Sequence, residues 1–146
     1  MSKSNTMENS LLLLLFNNTD FANIGDASGL GGSAAAGNLY ISLHTSDPGE
    51  AGDQSTNEIS YTGYARVAVA RTSGGWTITG NAGTNAAAIT FGACTAGSGT
   101  ATHFGIGTAS SGSGILLYSG ELTSSLAIST GITPEFGAGE LDVTED

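Results

Sequence analysis

At 146 residues with 39% apolar content, the chain is long enough for one domain with a real core, burying roughly 68–70% of the unfolded surface at this size. Asp and Glu total 13 against Lys3, Arg66 and Arg71, a formal net charge of −10, which excludes nucleic-acid binding through a basic patch because phosphate contacts need clustered Lys and Arg. Cys94 is the single cysteine, so no disulfide framework can form within the chain, and the apolar run Leu11–Phe16 is far short of the about 20 residues of a membrane helix.

That run is also shorter than a signal-peptide core of roughly 7–15 residues, so the chain is expected to start near Met1 and to remain where it is made. Gly supplies 23 residues and charged residues only 11%. Such a composition favours short strands and tight turns over helices. The whole of 1–146 is read as one domain: a helix over about 5–18, a Gly-rich loop over 23–37 and a β-sandwich over 38–146.

In chain order, Asn5–Asn18 reads as the one helix, with Asn5 as its cap and Glu8 three residues on closing a capping box. Its leucines are consecutive rather than spaced by three or four, so the helix is apolar around most of its circumference and must be covered by its own sheet or by a neighbouring subunit. The segment Asn23–Gly37 is Gly/Ser-rich and aperiodic, a surface loop. Leu39–Thr45 is the first strand, with Leu39, Ile41 and Leu43 on one face and Tyr40, Ser42 and His44 on the other, and Asp47-Pro48-Gly49 stops it. Further strands are expected at Tyr64–Arg71, Trp76–Thr79, Ala86–Phe91, Thr102–Gly107, Ile115–Leu122, Leu126–Ser129, Thr133–Phe136 and Glu140–Thr144. This spacing fits an all-β antiparallel sandwich, jelly-roll-like, with one short N-terminal helix.

Few residues have the makings of a reactive site. His44 and His103 are the only histidines, each in a predicted strand without a second soft ligand at zinc spacing, and strand packing or hydrogen bonding is their favoured role. Asp47, Glu50 and Asp53, with Asn57 and Glu58 beyond, form the densest oxygen cluster. They are the candidates for a loop-bound metal ion, but the spacing does not match an EF-hand, and Asp-Pro-Gly is turn chemistry on its own terms. Gly105-Ile106-Gly107 lacks both the last glycine and the following helix of a dinucleotide fingerprint. No nucleophile elbow is present. Catalytic and cofactor-binding residues are therefore read as none, no cofactor is expected, and the chain is read as no enzyme. Arg66 and Arg71 are scarce cations in an acidic chain and should find carboxylates within the fold or across an interface.

The order Leu39-Tyr40-Ile41-Ser42-Leu43-His44-Thr45-Ser46-Asp47-Pro48-Gly49-Glu50, Gly63-Tyr64-Ala65-Arg66-Val67-Ala68-Val69, Thr102-His103-Phe104-Gly105-Ile106 and Leu116-Leu117-Tyr118-Ser119-Gly120-Glu121-Leu122 resembles a family of small tailed-bacteriophage virion proteins, labelled head-decoration (cement), minor tail or tail-fibre-like. The resemblance runs from about Asn9 to Val143; the Gly/Ala-rich stretch Gly25–Gly37 departs from the family pattern. It implies a non-enzymatic structural protein made in the host cytoplasm and carried in the virion. The leading expectation is a decoration protein on the outer capsid surface, a homotrimer contacting the major capsid protein, with Leu11, Leu12, Leu15, Phe16, Leu30, Arg66 and Arg71 at interfaces. A minor tail or fibre-attachment protein contacting tail proteins is the alternative, and a β-sandwich binding host glycans a further one. No nucleic-acid or membrane partner is expected.

Overall fold

The computed structural model describes residues 2–26 and 28–146, in the order α1 (Asn5–Asn17), β1 (Asn38–His44), β2 (Val67–Ala70), β3 (Trp76–Thr79), β4 (Ala82–Asn85), β5 (Ile89–Thr90), β6 (Ser98–Gly107), β7 (Leu116–Ser129), β8 (Glu135–Phe136) and β9 (Asp142–Thr144). The class is the expected one, all-β with antiparallel pairing and a single N-terminal helix. The strands form sheets in the orders β2-β1-β6-β7, β3-β4-β9 and β5-β8, a division that leaves a jelly-roll connectivity unassigned. The chain divides into two compact units: Met1–Asn38, Ala70–Ile89 and Phe136–Asp146 form one, Leu39–Val69 and Thr90–Glu135 the other.

The first unit holds α1 and the three-stranded sheet. Ser4, not Asn5, caps the helix: its backbone is extended and its hydroxyl accepts from the Met7 N–H, one of the orphan donors of a helix start. At the other end Asn18 adopts the left-handed conformation at φ 54° and its N–H returns to the Leu13 carbonyl, a turn Asn tolerates better than most residues. Leu12 and Phe16, four apart, are fully buried, and α1 lies on β3 and β4. Phe16 meets Trp76 edge-on with ring centroids 4.6 Å apart, a favoured aromatic geometry. The consecutive Leu11, Leu13, Leu14 and Leu15 are half-buried, and Met7 is exposed.

Strand β4 is central in its sheet, between β3 and β9. Its sequence, Ala-Gly-Thr-Asn, carries little strand propensity, and the sequence reading expected no strand there; the strand expected at Ala86–Phe91 is the short β5. Asn85 compensates. It is 1% exposed, and its side chain donates to the Ala87 and Gly137 carbonyls and accepts from the Leu141 N–H, so burial of the amide is matched bond for bond.

The second unit is built on the four-stranded sheet. Leu39, Ile41 and Leu43 of β1 are buried with Ile59, Tyr61, Phe91, Cys94, Ala101, Ile106 and Ile128, as the alternation of β1 predicts for one face. Strand β7 is longer than expected. The two strands read at Ile115–Leu122 and Leu126–Ser129 are one 14-residue strand along β6, in which Ala101 pairs Leu126 but His103 pairs Glu121. The three surplus residues of β7 are taken up in that irregularity, the usual way one strand carries extra residues against its partner.

Candidate functional site

The polar face of β1 is covered by its own chain. Cross-strand register sets His44 opposite His103 and Ser42 opposite Gly105, and sets His103 opposite Glu121 on β7, so His44, His103 and Glu121 form a row across three strands on one face. Ser42 and His44 are fully buried. The imidazole Nδ1 lies 2.8 Å from the Thr56 carbonyl oxygen and Nε2 2.8 Å from the Ser42 hydroxyl. A carbonyl can only accept, so Nδ1 carries the proton and Nε2 accepts from Ser42. Burial lowers the His44 pKa, opposed by its bond to Thr56 and the nearby Glu58, which keeps the ring neutral.

This is the donor order of a nucleophile and its base, but both side chains are sealed from solvent and a peptide carbonyl stands where a triad has a carboxylate. Its effect is to fasten the loop over 45–58 to the sheet. Gln54, also fully buried, completes the fastening: its carbonyl accepts from the Ala109 N–H and its amide donates to Tyr40. Glycines make the room. A Cβ on Gly105 would stand 2.5 Å from His44 Nε2 and 2.6 Å from Ser42 Oγ, and one on Gly107 would run into the Gln54 amide.

Arg66 closes the other end of this loop. It directly precedes β2, its side chain is 2% exposed, and it meets Glu58 in a two-pronged pair with Nε and Nη2 each 2.7 Å from a carboxylate oxygen. Its remaining donors reach the Ala109 and Gly112 carbonyls. The bonds to Glu58 raise the Arg66 pKa. Tyr64 donates to the same carboxylate and accepts from the Leu43 N–H, and burial, first among the causes, pushes its hydroxyl well above the usual phenol range.

Arg71, directly after β2, meets no carboxylate among the described residues. In the first unit it donates to the Leu14 and Leu15 carbonyls at 2.7 and 2.6 Å, and to Ala36 and the Ser33 hydroxyl at 3.1 Å each. The two leucine carbonyls belong to the last turn of α1, where helix acceptors lack partners and the dipole is negative. Both arginines therefore do structural work inside their own units, as do Leu12 and Phe16. Of the residues expected at interfaces, Leu11 and Leu15 are half-buried and Leu30 is 48% exposed. Leu30 pairs with Phe21 through two backbone hydrogen bonds, which stiffen the Gly-rich loop at that point.

The acidic turn is organised by its own side chains. Asp47 accepts from the Gly49 N–H, and Asp53 accepts from the Ser55 N–H and hydroxyl and from the Thr56 hydroxyl. The Ser55 hydroxyl bond, foremost, lowers the Asp53 pKa. No group of three metal-ligating side chains occurs among the described residues, so Asp47, Glu50 and Asp53 do not converge on one point. Asp47 and Glu50 instead line, with His103 and the run Leu116–Glu121 of β7, a groove of about 590 Å³ on the second unit. Sequence reasoning passed over both Gln54 and this groove; neither a lone glutamine in an acidic turn nor a strand run with Glu121 as its one charge stands out in the sequence.

A search of curated proteins returns no match. The family model described as "Podophage GP4 fiber I protein gp80" matches residues 2–144.

Proposed function

The chain belongs to the podophage GP4 fiber I protein gp80 family, and from that membership we propose that it is a structural component of the fibre apparatus at the phage tail, either a minor tail protein or a fibre-attachment protein. That it is a bacteriophage virion structural protein follows from the family; the tail position is our reading. The observation that carries it is the match over nearly the whole chain to a family described by the word fiber. The decoration role on the outer capsid surface, first among the expectations from sequence, draws no support from that description and yields to the tail reading.

The reading is non-enzymatic. It is supported by the use of the two groupings that most resemble chemistry: Ser42 with His44 is spent on holding a loop, and Arg66 with Glu58 on closing it. A small structural subunit acts by multiplying contacts with its neighbours, and we take the assembly to be a homotrimer bound to tail proteins. Leu11, Leu15 and Leu30 are the members of the expected interface set that retain apolar surface for such contacts, and copies related by closed symmetry would use them equivalently. Cross-linking mass spectrometry on purified virions tests the assignment. Links from this chain to tail proteins are expected, and links confined to the major capsid protein would return the decoration role.

A further inference from the structure

We propose that the loop between β6 and β7 is a contact between copies of this chain, with Ile115 of each copy packed against its equivalents at the symmetry axis. The inference rests on the homotrimer reading above and names a surface that closes the trimer.

The loop over 109–114 reads Ala-Ser-Ser-Gly-Ser-Gly, a composition that by itself makes a flexible segment. Two buried side chains from elsewhere in the second unit hold it instead. Arg66, its side chain 2% exposed, donates from Nη1 to the Ala109 carbonyl at 2.9 Å and from Nη2 to the Gly112 carbonyl at 2.7 Å. Gln54, fully buried, accepts from the Ala109 N–H, and its own N–H donates to the Ser113 carbonyl, both at 2.8 Å. A Cβ on Gly114 would run into the Gln54 carboxamide oxygen, so the loop is packed on this brace as well as bonded to it. At the loop's end the Thr108 N–H donates to the Ile115 carbonyl and the Ile115 N–H to the Thr108 hydroxyl. A segment already ordered loses little freedom when it binds.

This brace presents an apolar side chain. Ile115 is 65% exposed, the highest value among the large hydrophobic residues described, with Leu30 next at 48%. Their surroundings separate them further. Ile24 and Leu30 share a loop with the exposed Asp20 and Asp26, Met7 adjoins Glu8, and Ile132 stands three residues before the exposed Glu135. No Asp, Glu, Lys or Arg occurs over 72–120. Asp53, beside Gln54, is turned to the Ser55 N–H and hydroxyl and to the Thr56 hydroxyl.

Charge decides the partner. Copies that each carry a formal −10 repel one another, so they meet most closely where neither brings a charge, and the loop with Ile115 is such a surface. A basic partner would find no carboxylate on it to pair with. Copies related by closed symmetry use the same patch equivalently; each isoleucine then meets isoleucines, and no loop side chain beyond a serine hydroxymethyl keeps the backbones apart.

Sedimentation velocity on the full chain over a concentration series is the test. The parent is expected to sediment as a trimer. Ile115→Asp should raise the dissociation constant at least about tenfold, as losing one buried isoleucine per copy predicts, and Ile132→Asp should leave it unchanged. Because Ile115 is largely exposed, circular dichroism and Trp76 fluorescence of its variants should match those of the parent. Ile115→Cys gives a second reading without added charge: mild oxidation should join two copies through a disulfide on a non-reducing gel, while the parent, whose one thiol Cys94 is 1% exposed, should stay unlinked. A monomeric parent would remove the homotrimer reading and this proposal together. A trimer indifferent to Ile115→Asp, weakened equally by Ile132→Asp, or unlinked through Ile115→Cys would overturn this proposal alone and leave the trimer to other surfaces.

Discussion

Arg71→Met is the substitution whose cost follows most directly from geometry. It keeps a long apolar stem and deletes the guanidinium that donates to the Leu14, Leu15 and Ala36 carbonyls and the Ser33 hydroxyl. The bonds to Leu14 and Leu15 are the short ones, and their acceptors sit in the last turn of α1, where the helix supplies no donor of its own. At about 1 kcal/mol net for each of those two bonds, and about 0.5 kcal/mol for a cation at a helix C-terminus, the loss comes to about 2–3 kcal/mol. The longer bonds to residues 33 and 36 add little where water can replace them. A change of that size multiplies the unfolding constant by about 30–150.

Urea titration followed by tryptophan fluorescence reads the effect where it arises, since Trp76 is the only tryptophan and meets Phe16 of α1 edge-on. The midpoint should fall with the slope unchanged, because the surface exposed on unfolding is the same. Arg71→Lys should recover less than half of the loss, for one ammonium cannot span four acceptors. A loss under about 0.5 kcal/mol for Arg71→Met, the range of an ordinary surface substitution, would refute the assignment of Arg71 as the brace of the helix end.

Glu58→Gln should cost about 3–5 kcal/mol, because it strands the buried Arg66 charge, and thermal melting of the variant against Glu58→Gln/Arg66→Met should show the double variant as the more stable of the two. His44 gives a pH signature. Its folded pKa lies below the unfolded value of about 6.5, so its contribution is complete above that value and declines as pH falls below it, by at most about 1.4 kcal/mol per pH unit; in urea titrations at pH 7 and pH 5, His44→Gln should show a smaller acid loss than the parent. Gly105→Ala, which drives a methyl between Ser42 and His44, should destabilise by about 1–3 kcal/mol or more, whereas Gly112→Ala, in open space but at φ 74°, should cost only the backbone strain of about 1 kcal/mol. Melting temperatures compare the two.

How much of this was legible in the residues depends on whether a local pattern decided the outcome. The alternation in Leu39–His44 located β1 and its buried face to within a residue, and the consecutive leucines located α1. The cap was misread because Ser4 and Asn5 are both competent there and only the backbone conformation separates them. Strand β4 was missed for a different reason. Ala82-Gly83-Thr84-Asn85 has no strand pattern, and what makes it one is pairing on both sides and the buried Asn85 amide, neither of which has a sequence signature.

The polar residues followed the same rule. That Arg66 would seek a carboxylate was readable from charge scarcity; that Arg71 would settle for helix carbonyls was not, since backbone acceptors carry no mark in the sequence. The likeness to tailed-phage virion proteins was readable from ordered motifs spread along the chain, and the match over residues 2–144 to a fibre family agrees with it. Position in the particle is a property of partners, which no single chain encodes.

Counting copies in purified virions by mass spectrometry against an isotope-labelled standard of this chain tests the proposed place most directly. A small number per particle, in the same proportion as the tail proteins, is the result expected of a fibre component. Hundreds of copies, in proportion to the major capsid protein, would contradict it.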